Sequence, residues 1–126
     1  MSPEKEKAPQ EIAPNLFYTS EEGANQMPSV LFGIECGDGW FHILEDALKQ
    51  LSDIAFKEGN DFRIDQIKEK YGYLRIYLNY ETDEMSEIIQ EAEAKSQETC
   101  EQCGNPGILR SRNHWCYTSC EEHVWS

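Results

Sequence analysis

The sequence lacks any long apolar run. No stretch approaches the ~20 apolar residues that a helix needs to cross a bilayer, and residues 1–10 are charged, with no apolar signal-peptide core. These two absences argue against a membrane-spanning protein and against a secreted one. We therefore expect a soluble intracellular protein.

Basic residues are also scarce. The chain holds 24 acidic side chains against 11 lysines and arginines, which gives a formal net charge of −13. A field of this sign repels the phosphate backbone of DNA and RNA unless the basic groups are concentrated in one place. General nucleic-acid binding is therefore not expected.

The motifs of the common enzyme classes are missing. There is no Walker loop, dinucleotide-binding glycine pattern, metal-hydrolase motif or serine nucleophile elbow. Cys36 precedes a predicted helix N-terminus, where the helix dipole lowers the pKa of a thiol, but a loop that enters a helix explains the same pattern. His42 has no neighbour in the sequence with which to form a catalytic Cys/His pair. We predict that the protein is not an enzyme.

The cysteines are few but clustered: four of the five lie in the last 27 residues. An odd number without a secretory signal does not fit a disulfide framework. Two pairs have the spacing of metal ligands instead, Cys100 with Cys103 and Cys120 with His123, and the 16 residues between the pairs are enough for a short ribbon. Three thiolates and one imidazole predict one structural zinc ion per chain, with no coordination position left for a catalytic water.

Two other side chains compete for a place in the second ligand pair. Cys116 is four residues before Cys120, the spacing of one helical turn, and would complete a four-thiolate site. His114 is the other spare donor, although its place beside Trp115 favours a surface histidine. Cys100 and Cys103 are ligands in every alternative, whereas the spacing does not decide which two residues form the second pair.

Two amphipathic helices are predicted. Apolar residues recur at three- to four-residue spacing after Asp38, which can cap the first turn, and this helix ends near Gly59. A second helix is expected over residues 83–97, with Thr82 as its cap and a strongly acidic outer face.

A β-hairpin is predicted between the helices. Residues 62–67 and 74–78 are rich in strand formers, and the segment Tyr71-Gly72-Tyr73 supplies the turn. Its basic and tyrosine side chains are suited to holding an anionic ligand such as a nucleotide by charge and ring stacking, although a solvated strand face explains the same pattern. The candidate ligand-binding residues are Lys68, Lys70, Tyr71, Tyr73, Arg75 and Tyr77.

These elements predict an α+β fold, in the order helix, β-hairpin, helix and C-terminal zinc ribbon or knuckle. The prolines and glutamates of residues 1–29 predict an irregular N-terminal arm. Residues 30–98 are then an α-β-β-α core, and residues 99–126 a zinc-binding tail packed on it.

Four segments taken together resemble a family of small, mostly uncharacterised proteins encoded by bacteriophages and prophages. The resemblance begins near residue 30 and implies that the Cys-x-x-Cys pair is followed by an aromatic, a Thr and a Cys-x-x-His pair, here Trp115, Thr118, Cys120 and His123. It therefore favours His123 as the fourth ligand. The segments are ECGDGW at 35–40, KEKYGYLRIY at 68–77, AEAKS at 92–96 and CEQCG at 100–104.

The chain departs from the family pattern at three positions. Cys116 stands where the family has an aliphatic residue, and Tyr71 and Tyr73 stand where Phe and Gly are more usual. These differences bear on the choice of metal ligands and on the shape of the hairpin turn.

The resemblance supplies no established activity, but small phage accessory proteins often inhibit host defences. It implies a location in the cytoplasm of a bacterial host cell. We expect a non-enzymatic, zinc-binding phage accessory protein whose acidic surface binds a host protein, as a defence inhibitor or a nucleic-acid mimic. The alternative is a sponge that sequesters a small anionic nucleotide signal through the basic hairpin.

Overall fold

The computed structural model describes residues 12–17, 34–59 and 62–125, and it confirms the predicted α+β class. No helix within these ranges is long and apolar enough to cross a membrane. The elements in chain order are α1 (Pro14–Phe17), β1 (Ile34–Glu35), a 3-10 turn (Asp38–Trp40), α2 (Phe41–Glu58), β2 (Ile64–Lys70), β3 (Tyr73–Leu78), α3 (Asp83–Ser96), β4 (Ile108–Arg112), β5 (Trp115–Ser119) and a second 3-10 turn (Glu121–His123).

Helix α2 forms because its apolar residues recur on one face, and that face is buried. The helix ends as predicted: Gly59 has a φ of 70° and its N–H donates to the Ala55 carbonyl. The start differs from the prediction. Asp38 opens a separate 3-10 turn, and the helix proper begins at Phe41 without a side-chain cap.

The β2–β3 pair is the predicted hairpin, which we call the core hairpin. Ile67 pairs with Ile76 in an antiparallel register, and residues of β3 alternate between buried and partly exposed. Its two-residue turn, Tyr71-Gly72, has positive φ at both positions, the geometry whose twist matches that of the strands. Strand β1 adds to β2 in parallel, and this strand was not predicted because two residues carry no period.

Helix α3 closes the other edge of the sheet. Thr82 caps it as predicted, its Oγ1 accepting from the Met85 N–H at 3.2 Å. At the far end the Leu74 N–H of β3 donates to the Ser96 Oγ at 2.8 Å. The predicted apolar stripe packs inward, with Met85, Ile89 and Ala92 buried in the same core as the sheet and α2.

The predicted irregular arm lies largely outside the described residues. Its described part contains one helical turn, and Leu16 is fully buried in the core. The turn is tied to α2 because the Ser52 Oγ donates to the Asn15 Oδ1 at 2.7 Å and the Asn15 Nδ2 donates to the Ser52 carbonyl at 3.3 Å. This segment thus belongs to the same packed unit as α2.

Strands β4 and β5 form a second antiparallel pair, which we call the C-terminal hairpin. Its turn, Asn113-His114, also has positive φ at both positions. Strand β4 has no buried residue, and β5 is buried only from Tyr117 to Ser119. The C-terminal hairpin therefore has little apolar core of its own.

Candidate metal centre

One Cys/His cluster in the described part of the chain is compact enough to hold a metal ion. It consists of Cys100, Cys103, Cys120 and His123, whose ligand atoms all lie within 4.8 Å of one another. The Cys103 and Cys120 sulfurs are 3.7 Å apart, and the His123 Nδ1 lies 3.4 Å from the Cys100 sulfur and 3.2 Å from the Cys120 sulfur.

These separations fit a tetrahedral ion. Metal–sulfur bonds of about 2.3 Å at tetrahedral angles place two sulfurs about 3.8 Å apart and a sulfur and a nitrogen slightly closer. The same distances exclude a disulfide between Cys103 and Cys120, because bonded sulfurs are about 2.05 Å apart. The two pairs predicted from their spacing are therefore brought together in the geometry that a metal ion requires.

The first ligand pair lies in a tight turn after α3. The Gly104 N–H donates to the Cys100 carbonyl at 2.9 Å, and Gly104 has a φ of 82°, which a glycine adopts without steric cost. The Cys100 N–H donates to the Asn105 carbonyl at 2.8 Å. These bonds curl residues 100–105 so that both sulfurs point to one side.

The second ligand pair follows β5. Cys120 lies directly after the strand, and the 3-10 turn that follows brings His123 back, with the His123 N–H donating to the Cys120 carbonyl at 3.2 Å. The chain beyond is held because Trp125 stacks on Tyr117, with ring centroids 4.1 Å apart. This stack fixes the segment that presents the imidazole.

Backbone amides around the cluster favour one thiolate. Burial raises the pKa of Cys100, but N–H groups of Cys120, Cys103 and Gln102 more than compensate and lower it to about 6. The Asn105 N–H lowers the pKa of Cys103, but partial desolvation and the neighbouring sulfurs of Cys100 and Cys120 together raise it above its usual value. Amides aimed at the sulfurs also stabilise thiolates bound to a metal.

The two competing ligands do not belong to the cluster. Cys116 lies in strand β5, paired with Ser111, and in an extended strand four residues span about 13 Å. Cys116 and Cys120 are therefore not one helical turn apart, and the four-thiolate alternative is wrong. His114 lies exposed in the turn at the opposite end of the C-terminal hairpin.

The cluster is attached to the core through the Asp38–Trp40 turn. The Gly39 N–H donates to the Glu101 carbonyl at 2.7 Å, and the Gly37 N–H donates to the Glu101 Oε2 at 2.8 Å. The fully buried Trp40 donates its indole N–H to the Thr99 carbonyl at 2.9 Å. Two segments about sixty residues apart in sequence are thus joined directly beside Cys100.

Two glycines permit this close approach. A Cβ on Gly39 would lie 2.1 Å from the Cys100 carbonyl oxygen, and one on Gly37 would lie 2.5 Å from that of Glu101. We call residues 37–40 the docking turn. The glycines and tryptophan of the ECGDGW segment therefore have a physical role as the surface on which the CEQCG segment rests.

A second attachment joins the two hairpins. The Thr118 Oγ1 donates to the Gly72 carbonyl at 2.5 Å. A Cβ on Gly72 would meet the Leu109 side chain at 2.5 Å and the Tyr117 nitrogen at 3.1 Å. The C-terminal hairpin is therefore held at both its metal end and its middle.

The predicted ligand-binding residues have different surroundings in the structure. Arg75 is already paired with acidic side chains, because its Nη1 lies 2.6 Å from the Glu93 Oε1 and its Nη2 lies 4.0 Å from a Glu81 oxygen. Its guanidinium also lies over the Tyr77 ring, 5.2 Å from the centroid. Lys70 lies 5.9 Å from the Tyr71 ring centroid, at the turn.

The two remaining candidates for thiol or histidine chemistry have different surroundings in the structure. Cys36 is buried in the core, as expected for a loop that enters a helix. His42 is exposed on the first turn of α2, near Gly104. The segment that holds both residues supports the metal cluster, which the sequence did not predict.

No protein-family model, functionally described protein or solved structure matches the chain. The geometry alone therefore defines the class: a mixed α+β protein with a Cys3His cluster close enough to hold a metal ion.

Gly39→Ala tests the docking turn. The added methyl collides with the Cys100 and Glu101 backbone, so we expect a loss of about 1–3 kcal/mol in the free energy of unfolding and a faster loss of metal to a chelator. Gly59→Ala is the control, since nothing lies near its Cβ and only its positive φ is strained. It should cost about 1 kcal/mol and leave metal retention unchanged. Equal metal retention in the two variants would contradict this role.

Proposed function

We propose that the protein binds one zinc ion and that this ion is structural. The observation that carries the proposal is the closed set of four protein ligands, three sulfurs and one imidazole nitrogen, within 4.8 Å. Zinc accepts this ligand set in tetrahedral geometry, and a fourth protein ligand leaves no position at which a water is activated. The ion would hold the C-terminal hairpin in place instead of taking part in a reaction.

We also propose a non-enzymatic binding role for the surface of α3. Asp83, Glu84, Glu87 and Glu91 are exposed and recur at helical spacing, so they share one side of the helix. Within the described ranges none of the four forms an ion pair. Unpaired charges of one sign on a rigid helix are suited to a partner with a basic surface.

The resemblance to phage proteins suggests what such a partner does. A bacterial host protein of the defence apparatus is the proposed partner, which makes the chain a phage-encoded inhibitor. Where that host protein binds DNA or RNA, the acidic side of α3 would occupy its nucleic-acid groove as a mimic, and binding would weaken steeply with added salt.

Metal content per chain tests the first proposal. Wild type should carry about one zinc ion per chain, and Cys103→Ser and His123→Ala should lose it with a fall in melting temperature of about 10 °C or more. Cys116→Ser makes the same chemical change outside the cluster and should keep both metal and stability. A wild type without metal, or a Cys116→Ser protein that loses it, would disprove the assignment.

Paired charge neutralisation tests the second proposal. Glu87→Gln with Glu91→Gln should reduce retention of a host protein by about fivefold in pull-downs from bacterial lysate, because two favourable charge contacts are lost. The matched control is Asp53→Asn with Glu58→Gln, which removes the same charge from exposed positions on α2. Equal retention by both double variants would rule out the acidic side of α3 as the contact surface.

A further inference from the structure

A groove of about 600 Å³ lies between the turns of the two hairpins. The core hairpin contributes Lys68, Lys70 and Tyr71, and the C-terminal hairpin contributes His114 and Trp115. Its volume is within the range of about 300–1,000 Å³ that is usual for small-molecule sites. We call it the hairpin groove.

The walls of the groove are held in fixed relation. The hydrogen bond from Thr118 to the Gly72 carbonyl and the close contact of Gly72 with Leu109 lock one hairpin against the other. A ligand would therefore meet a preformed site and would not have to order its walls on binding.

The groove is a positively charged region of an acidic protein. Within the described residues neither Lys68 nor Lys70 forms an ion pair. The acidic lining residue, Glu69, accepts from the Gly72 N–H at 2.7 Å. The C-terminal wall adds no carboxylate, because residues 102–120 contain two arginines and no acidic residue. These charges favour an anion.

Two aromatic rings that line the groove are exposed to solvent. Tyr71 and Trp115 are each 69% exposed, unusual for such large side chains. Tyr71 also has a φ of 51° and His114 a φ of 69°, in turns for which asparagine and glycine are the favoured residues. Strained positions that carry functional side chains instead of the favoured turn residues are typical of binding sites.

We propose that the hairpin groove binds a small nucleotide, with Lys68 and Lys70 contacting its phosphate and Tyr71 and Trp115 its base. The lysines supply charge for the phosphate and the exposed rings supply stacking surfaces for the base, whereas either feature alone would fit a simpler ligand. This site goes beyond the proposed function and does not depend on the protein partner.

The role of the lysines in phosphate binding is tested by calorimetric titration of the metal-loaded full chain. The ligands are ATP, a cyclic dinucleotide, adenosine and inorganic pyrophosphate. At least one of the two nucleotides should bind, and more tightly than adenosine or pyrophosphate. Lys68→Gln with Lys70→Gln should weaken its affinity by about tenfold or more. Lys49→Gln with Lys57→Gln removes two lysines from α2 and should leave the affinity unchanged.

The role of the aromatic rings in base binding is tested with the same nucleotide. Trp115→Ala should weaken the affinity by about tenfold, whereas Phe56→Ala, which removes an equally exposed ring from α2, should not. Tyr71→Asn separates binding from folding. It supplies the favoured Asn-Gly turn, so the melting temperature should rise by about 2–5 °C while nucleotide affinity falls.

Four results would contradict the proposal. If neither nucleotide binds, the groove is not a nucleotide site. The same holds if pyrophosphate binds as tightly as the nucleotides and its affinity does not depend on Trp115. Tighter binding of a single-stranded oligonucleotide than of either nucleotide would assign the groove to nucleic acid. Tyr71→Asn with unchanged affinity would remove that ring from the site.

Discussion

The contact between Glu101 and the docking turn is the interaction on which the metal end of the molecule depends. It uses the carbonyl and the carboxylate of one residue, both bound to backbone N–H groups of glycines. The carboxylate is largely withdrawn from water, and burial raises its pKa. Because Glu101 follows Cys100 directly, a shift of this contact moves the first metal ligand.

A bound metal ion would compensate for the small apolar surface that the tail buries. Among residues 100–125, only Cys100, Tyr117, Thr118 and Ser119 are buried, and Ile108 and Trp115 remain more than half exposed. Apolar burial of this size does not offset the entropy of ordering some 25 residues. Four bonds to one ion would supply the missing free energy, as in other small metal-stabilised modules. The core, which buries two helices against a sheet, has no such need.

The sequence predicted what is local and missed what joins distant segments. Periodicity predicted α2, α3 and the core hairpin, because each pattern is formed by residues close together in the sequence. Spacing predicted the first ligand pair and offered Cys120 with His123 as one choice for the second. Cys116 was considered as a ligand because four residues mean one turn in a helix but a long separation in strand β5. The contact made by the docking turn could not be predicted, because Gly37 and Glu101 are 64 positions apart in the sequence. A glycine pattern indicates that another backbone can approach closely, but it does not identify that backbone. The part of the N-terminal arm that packs on α2 carried too short an apolar pattern to be read as core.

The two charged regions of the surface can serve different ligands because an ion pair separates them. Arg75 lies on the outward side of β3, and its contacts with Glu93 and Glu81 neutralise the charges between the core hairpin and α3. The acids of α3 beyond that pair are exposed to solvent, and at physiological ionic strength their field decays over about 8 Å. The lysines of the hairpin groove are therefore governed by their immediate surroundings more than by the net charge of −13. A strongly acidic chain and an anion-binding groove are compatible because screening makes charge local.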